Sequence, residues 1–115
     1  MSSVIYKIVP AASWQEAREN GFFEGSPVDI DDGFIHFSTA QQSVETAARH
    51  FAGQEDLMLI AIDGDLLEDS LIYEPSRGGA LFPHLYGPLE LSAVIWEKPL
   101  PLGADGSHVF PDFSA

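Results

Sequence analysis

Hydrophobic positions along the chain come in short bursts whose period changes from segment to segment. Val4 to Val9 is rich in β-branched and aromatic residues and predicts a first strand, stopped by Pro10. Ser13 and Glu16 have the Ser-x-x-Glu spacing of a capping box and predict a helix through Trp14, Ala17 and Arg18, with Gly21 as its left-handed terminator. Phe22 and Phe23 then return to the core. Gly25-Ser26-Pro27 and Asp29-Ile30-Asp31-Asp32-Gly33 read as a turn-rich acidic connection. In Phe34 to Phe37 the pattern alternates: Phe34, His36 and Ser38 face one way, Ile35 and Phe37 the other. A histidine and a hydroxyl therefore share one face at the end of a strand.

Beyond that point the period lengthens. Ser38 with Gln41, or Thr39 with Gln42, makes a second capping box. Val44, Ala47, Ala48 and Phe51 recur at i, i+3, i+4 and i+7, an amphipathic helix ended by Gly53. Leu57 to Ile62 is continuously apolar, as a central strand buried on both faces would be, and Asp63-Gly64 closes it. A short helical turn at Leu66 and Leu67 precedes a strand at Leu71 to Glu74. Pro75 to Gly79 breaks regular structure, and Leu81 to Leu89 reads as an aromatic loop stiffened by Pro83 and Pro88. Leu91 to Trp96 alternates as a last strand halted by Pro99 and Pro101. The tail from Gly103 is turn-like, with Val109, Phe110 and Phe113 as anchors. The sum is one α+β domain over residues 1–115, with a mixed or antiparallel sheet of about five strands and two main helices.

Composition narrows what such a domain can do. Its 115 residues suffice for one core but not two. The absence of cysteine excludes disulfides, thiolate catalysis and cysteine-based metal sites. No apolar stretch is long enough for a membrane span, and Met1 to Tyr6 lacks the form of a secretory signal, so a cytoplasmic address is expected. A net charge of −13 argues against a broad nucleic-acid surface but does not exclude a small anionic ligand, because a local pair of arginines or backbone amides can outweigh the distant field. With so few cations, the positions of Lys7, Arg18, Arg49, Arg77 and Lys98 each matter.

Candidate chemistry centres on His36, either a core histidine bonded to backbone or a pocket histidine that binds a ligand hydroxyl or carries a proton. Ser38 and Thr39 can cap the following helix, and the one not so used could meet a phosphate or carboxylate at its N-terminus. Arg77 before Gly78-Gly79 could supply charge beside closely approaching backbone amides, with Glu74 three residues earlier. Phe82, His84 and Tyr86 belong to the stiff aromatic segment, as a pocket wall or a structural plug. A Ser38–His84–Glu74 triad can be drawn, but the Gly-x-Ser-x-Gly elbow is missing. A metal held by His36, His84 and a carboxylate has no supporting spacing, and no metal is expected.

Several of these segments carry a family resemblance. Tyr6-Lys7-Ile8-Val9, Gly33 through Thr39, Gln42, Phe51-Ala52-Gly53, Glu74-Pro75 and Phe82 through Leu89 resemble the small bacterial family called domain of unknown function 952, over about residues 4 to 102. A strand ending in His-x-Ser and running into a helix is also similar to the nicotinamide-ribose site of ADP-ribosyltransferase-like folds. That second resemblance implies an ADP-ribosyltransferase-like architecture, NAD or a related nucleotide as ligand, and glycosyl or ADP-ribosyl transfer. His36 would hold the ribose beside Ser38, and Tyr73, Tyr86 or Phe82 would stack on the base. Glu74, Glu90 or Glu97 would serve as the glutamate of the transition state. The expectation is a nucleotide-like or phosphorylated ligand in a pocket of His36, Arg77 and His84, with His36 and Glu74 as catalytic residues and Ser38, Thr39, Arg77, Phe82, His84 and Tyr86 as binding residues. The alternative is a non-catalytic binding or protein-interaction module.

Overall fold

The computed structural model describes residues 4–75 and 79–111. Its framework is an antiparallel three-stranded sheet in the order β1-β4-β8. The strands are β1 (Val4–Pro10), β4 (Leu57–Asp63) and β8 (Val94–Leu100). Helix α1 (Ala11–Asn20) follows β1, and α3 (Ala40–His50) precedes β4. The apolar run of β4 occupies the middle of this sheet and is covered on both sides, as its lack of alternation implies. Ile5, Val9, Ile60 and Ile62 join Trp14, Ala17 and Phe23 in one cluster. Tyr6, Ile8, Leu57, Leu59 and Ala61 join Ala47 of α3 and Leu100 in another.

A second sheet, in the order β3-β6-β5, carries the chemistry. It consists of β3 (Ile35–His36), β5 (Leu71–Pro75) and β6 (Leu81–Leu85), all antiparallel. The residues after β3 join it to the first sheet: Phe37 N–H donates to Pro83 O at 3.0 Å, and Tyr6 and Ser38 exchange backbone bonds of 2.8 and 2.9 Å. A short ladder of β2 (Phe22–Phe23) and β7 (Leu89–Glu90) closes one side.

The α+β class holds, while the details differ from the pattern-based reading in several places. Among the described residues, three small antiparallel sheets stand where one was expected. The acidic connection contains a further helix, α2 (Pro27–Asp32), because Pro27 fits a first helical turn and Asp29 bonds back to the Ser26 N–H at 2.7 Å. Helix α1 starts two residues before Ser13, whose hydroxyl therefore does not cap it. Leu81 to Leu85 is not a loop but the central strand of its sheet, despite Pro83, whose carbonyl still pairs with Phe37. The last strand begins at Val94, after a 3₁₀ turn at Leu91–Ala93, and runs through Pro99. That proline is tolerated because β8 is, among the described residues, an edge strand hydrogen-bonded to β4 alone. Thr39, not Ser38, caps α3: its hydroxyl accepts from Gln42 N–H at 3.3 Å and Gln42 Oε1 accepts from Thr39 N–H at 3.0 Å. The expected anchor Phe113 lies outside the described residues.

Candidate functional site

The site is assembled around α2. Gly25 sits at φ +117°, where an added Cβ would lie 2.8 Å from Asp29 Cβ. The chain thus folds tightly over the Asp29 side chain at a position only glycine satisfies. Gly33, at φ +87°, ends the helix and donates its N–H to Asp29 O at 2.9 Å, which turns the chain directly into β3. Asp29 is 1% exposed. Its carboxylate accepts from Lys7 Nζ at 2.9 Å, His36 Nδ1 at 2.5 Å, His36 N–H at 3.2 Å and Ser26 N–H at 2.7 Å. Burial by itself would raise the Asp29 pKa. The bond from His36, the charge of Lys7 and the Ser26 amide outweigh it and lower the pKa to about 2. Lys7, buried in the middle of β1, is lowered by that burial, against which the charge and hydrogen bond of Asp29 act.

His36 is therefore fixed at Nδ1 by a buried carboxylate. Its Nε2 stands 3.0 Å from Oδ2 of Asp32, which is half exposed at the end of α2. A ring with a carboxylate at each nitrogen donates to both only when doubly protonated.

Directly across the strand pair, His84 is the register partner of His36. His84 Nδ1 lies 2.8 Å from Glu74 Oε1, and the same oxygen accepts the Tyr86 hydroxyl at 2.7 Å. The Tyr86 bond, then the His84 bond, lower the Glu74 pKa, and Glu74 in turn raises that of Tyr86. An ionised Glu74 accepts, so the His84 Nδ1 carries the hydrogen. Phe34 stacks on His84 with centroids 4.1 Å apart at 24° and also touches His36 and Tyr86, at 4.7 and 5.2 Å. The two imidazoles meet edge to face at 5.4 Å.

Both histidines line a cavity of about 540 Å³ between α2, β1, α3 and the second sheet. Lys7, Asp29, Asp32 and Ser38 supply further polar wall, and Tyr6, Phe37, Phe51 and Phe82 supply apolar wall. His84 is 5% exposed, and its Nε2 has no partner among the described residues. A buried ring nitrogen left without a partner costs free energy unless something else fills the bond.

Of the sequence candidates, His36, Ser38, Phe82 and His84 share this cavity. Glu74 and Tyr86 stand behind His84 and hold it. Thr39 is engaged in the α3 cap, and Ser38 Oγ lies 3.3 Å from Thr46 Oγ1. Arg77 lies outside the described residues. Of the three glutamates considered, Glu97 is occupied elsewhere, by Trp14 Nε1 at 2.8 Å and Arg18 at 3.1 Å, and Glu90 sits in the β2-β7 ladder. Only Glu74 is bonded to a candidate histidine. Tyr73 is exposed.

Pattern reasoning missed Asp29, Asp32 and Lys7. The signals were present: a lysine inside an otherwise apolar strand, and Ser26 with Asp29 at capping-box spacing around Pro27. Among the described residues no three histidine, aspartate or glutamate side chains are grouped so as to hold a metal ion.

Fold and site together define a small α+β domain with two carboxylate-held histidines in one cavity. Residues 8–97 match the family described as protein of unknown function (DUF952), and the chain belongs to that family. It is similar to protein CC0527 from Caulobacter crescentus, whose crystal structure is 51% identical, with 92% of this chain and 93% of that chain covered and a TM-score of 0.89. The solution NMR structure of CC0527, also 51% identical, covers 91% of this chain and 90% of that one, at a TM-score of 0.83. A comparison with curated proteins finds no match. No helix among the described residues is long and apolar enough to cross a membrane.

Proposed function

We propose that this chain binds a small hydroxylated molecule, of sugar or nucleoside kind, in the cavity shared by His36 and His84. The observation that carries the reading is that His84, buried in the wall of a cavity of about 540 Å³, has an Nε2 with no partner among the described residues. With Nδ1–H held by Glu74, a neutral His84 offers a lone pair at Nε2, and a ligand hydroxyl is the group that completes it. Phe82 and Phe37 give an apolar surface for the ring of such a ligand. The volume accommodates a nucleoside.

Charge favours the uncharged part of a nucleotide-like ligand over its phosphates. Lys7 is the cation among the described cavity-lining lysines and arginines, and it is already paired with Asp29, while Asp32 adds a further negative charge. A phosphorylated ligand would draw on Arg77. Glycosyl or ADP-ribosyl transfer would use Glu74, which in this arrangement acts through His84 rather than from the cavity wall.

Thermal-shift and calorimetric titration with adenosine, D-ribose, ADP-ribose and NAD tests the reading. Adenosine or ribose should raise Tm in the wild type but not in His84→Asn, because a ligand that binds only the folded state stabilises it by mass action. If none of the four raises Tm or gives heat, the pocket reading falls and the interaction-module alternative takes its place.

A further inference from the structure

The two histidines are held in complementary states, which the binding role alone does not require. His36 faces a carboxylate at each nitrogen, Asp29 at Nδ1 and Asp32 at Nε2, so hydrogen bonding to both needs a proton on each. His84 has one carboxylate, at Nδ1, and an Nε2 with no partner among the described residues. The first ring is a proton donor and the second a proton acceptor, with centroids 5.4 Å apart on one cavity wall. Lys7, buried against Asp29, adds positive charge on the far side of the dyad, while Tyr86 shares Glu74 with His84.

From this geometry we infer that the cavity catalyses ring opening and closure of a reducing sugar, with His84 as base and His36 as acid. The inference rests on the proposed binding of a hydroxylated ligand. Two neighbouring imidazoles on the same side of a substrate are poorly placed for an in-line displacement, which needs its acid and base on opposite faces. They suit two oxygens attached to one carbon, each within a hydrogen bond of roughly 2.7–3.2 Å of its own ring nitrogen. A cyclic hemiacetal has such a pair: the anomeric hydroxyl and the ring oxygen.

The step balances without a co-reactant. The anomeric O–H proton passes to His84 Nε2 while the C–O bond to the ring oxygen breaks. The ring oxygen takes that electron pair and the proton from His36 Nε2, whose hydrogen bond to the half-exposed Asp32 gives way. The anomeric C–O becomes the carbonyl of the open chain. Closure on the other face returns both protons and yields the other anomer. Glu74 and Asp29 act as positioning residues, each holding a ring by Nδ1. No phosphate-binding cation is called for, in keeping with the charge of the cavity wall.

Magnetisation exchange between the α and β anomeric ¹H signals of D-ribose and D-glucose, with the purified full chain added, measures the reaction. Methyl β-D-ribofuranoside, whose anomeric oxygen carries no proton, serves as a binding probe that cannot react. The expected result is interconversion of at least one free sugar more than tenfold faster than with equimolar free imidazole. The rate should be bell-shaped in pH and fall to the imidazole level in His84→Asn and in His36→Asn. Circular dichroism checks that each variant folds, and the wild-type pH profile alone carries the test should either fail to fold. Sugar binding without acceleration overturns the acid–base assignment and leaves the pocket reading standing. Neither binding nor acceleration with any of the three overturns both.

Discussion

Lys7 and Asp29, 22 positions apart in sequence, form a buried ion pair 2.9 Å long that ties β1 to α2 beneath His36. Both residues are almost wholly withdrawn from bulk solvent: Lys7 is 7% exposed and Asp29 1%. Burying two ions is costly, and their attraction offsets that cost only when further hydrogen bonds complete the site. Asp29 has those bonds, from Ser26 and His36.

Removing one partner should therefore be severe. Asp29→Asn leaves the Lys7 ammonium buried without a counter-charge and weakens three further bonds. A loss of about 3–5 kcal/mol is expected. Lys7→Met, which is close in length and leaves Asp29 its other donors, should cost less. Urea denaturation of the two variants measures the difference, and equal losses would mean that Asp29 matters only as the partner of Lys7.

The same carboxylate sets the acid limit of stability. Its pKa falls from an ordinary 3.8 to about 2 on folding. A carboxylate lowered in this way stabilises the fold fully above the unfolded value, and that stability is lost as pH falls from about 4 through 2. The shift corresponds to about 2 kcal/mol. Denaturation midpoints followed from pH 6 to pH 2 should drop most steeply below pH 4 in the wild type. Asp29→Asn, already destabilised, should show a shallower acid slope.

How much of this could be read from the sequence follows from what each signal depends on. The apolar run of β4, the Thr39–Gln42 box and the alternation that buries Ile35 and Phe37 are local, and each predicts its element. His36 and His84 were legible as candidates because histidines beside aromatics in a polar-poor segment stand out. Their register pairing was not, because Pro83 argues locally against a strand and only β3 and β5 on either side make one. Asp29 was hidden for a similar reason. In sequence it is one of three acidic residues within a turn-like stretch, and nothing local tells the buried one from its solvated neighbours. What selects it is contact with a lysine 22 residues away.

Gly25 is the local feature that permits this contact. An alanine there would meet Asp29 Cβ at 2.8 Å and would have to hold φ +117°, a conformation that side chains rarely adopt. Gly25→Ala should lower Tm and displace Asp29 from His36. The His36 imidazole signals in a ¹H–¹⁵N spectrum should shift, whereas Gly21→Ala, at an open helix terminus, should destabilise without moving them.

Tyr86 reports on the second histidine in the same manner. Its phenol titrates above the ordinary 10 because it donates to an ionised Glu74, which it shares with His84. Tyr6 and Tyr73 are also raised, so a bulk alkaline titration would blur the three, and the Tyr86 ring carbons should be followed by NMR. Glu74→Gln removes the charge that opposes ionisation, and the Tyr86 midpoint should move back toward 10. The same substitution leaves His84 Nδ1 facing an amide, which can accept with its oxygen or donate with its nitrogen and so no longer fixes one tautomer. His84 should then show a mixture of Nδ1–H and Nε2–H forms in its ¹⁵N shifts, where the wild type shows Nδ1–H. A wild-type spectrum dominated by the Nε2–H form would remove the lone pair from the cavity and with it the basis for ligand binding at that atom.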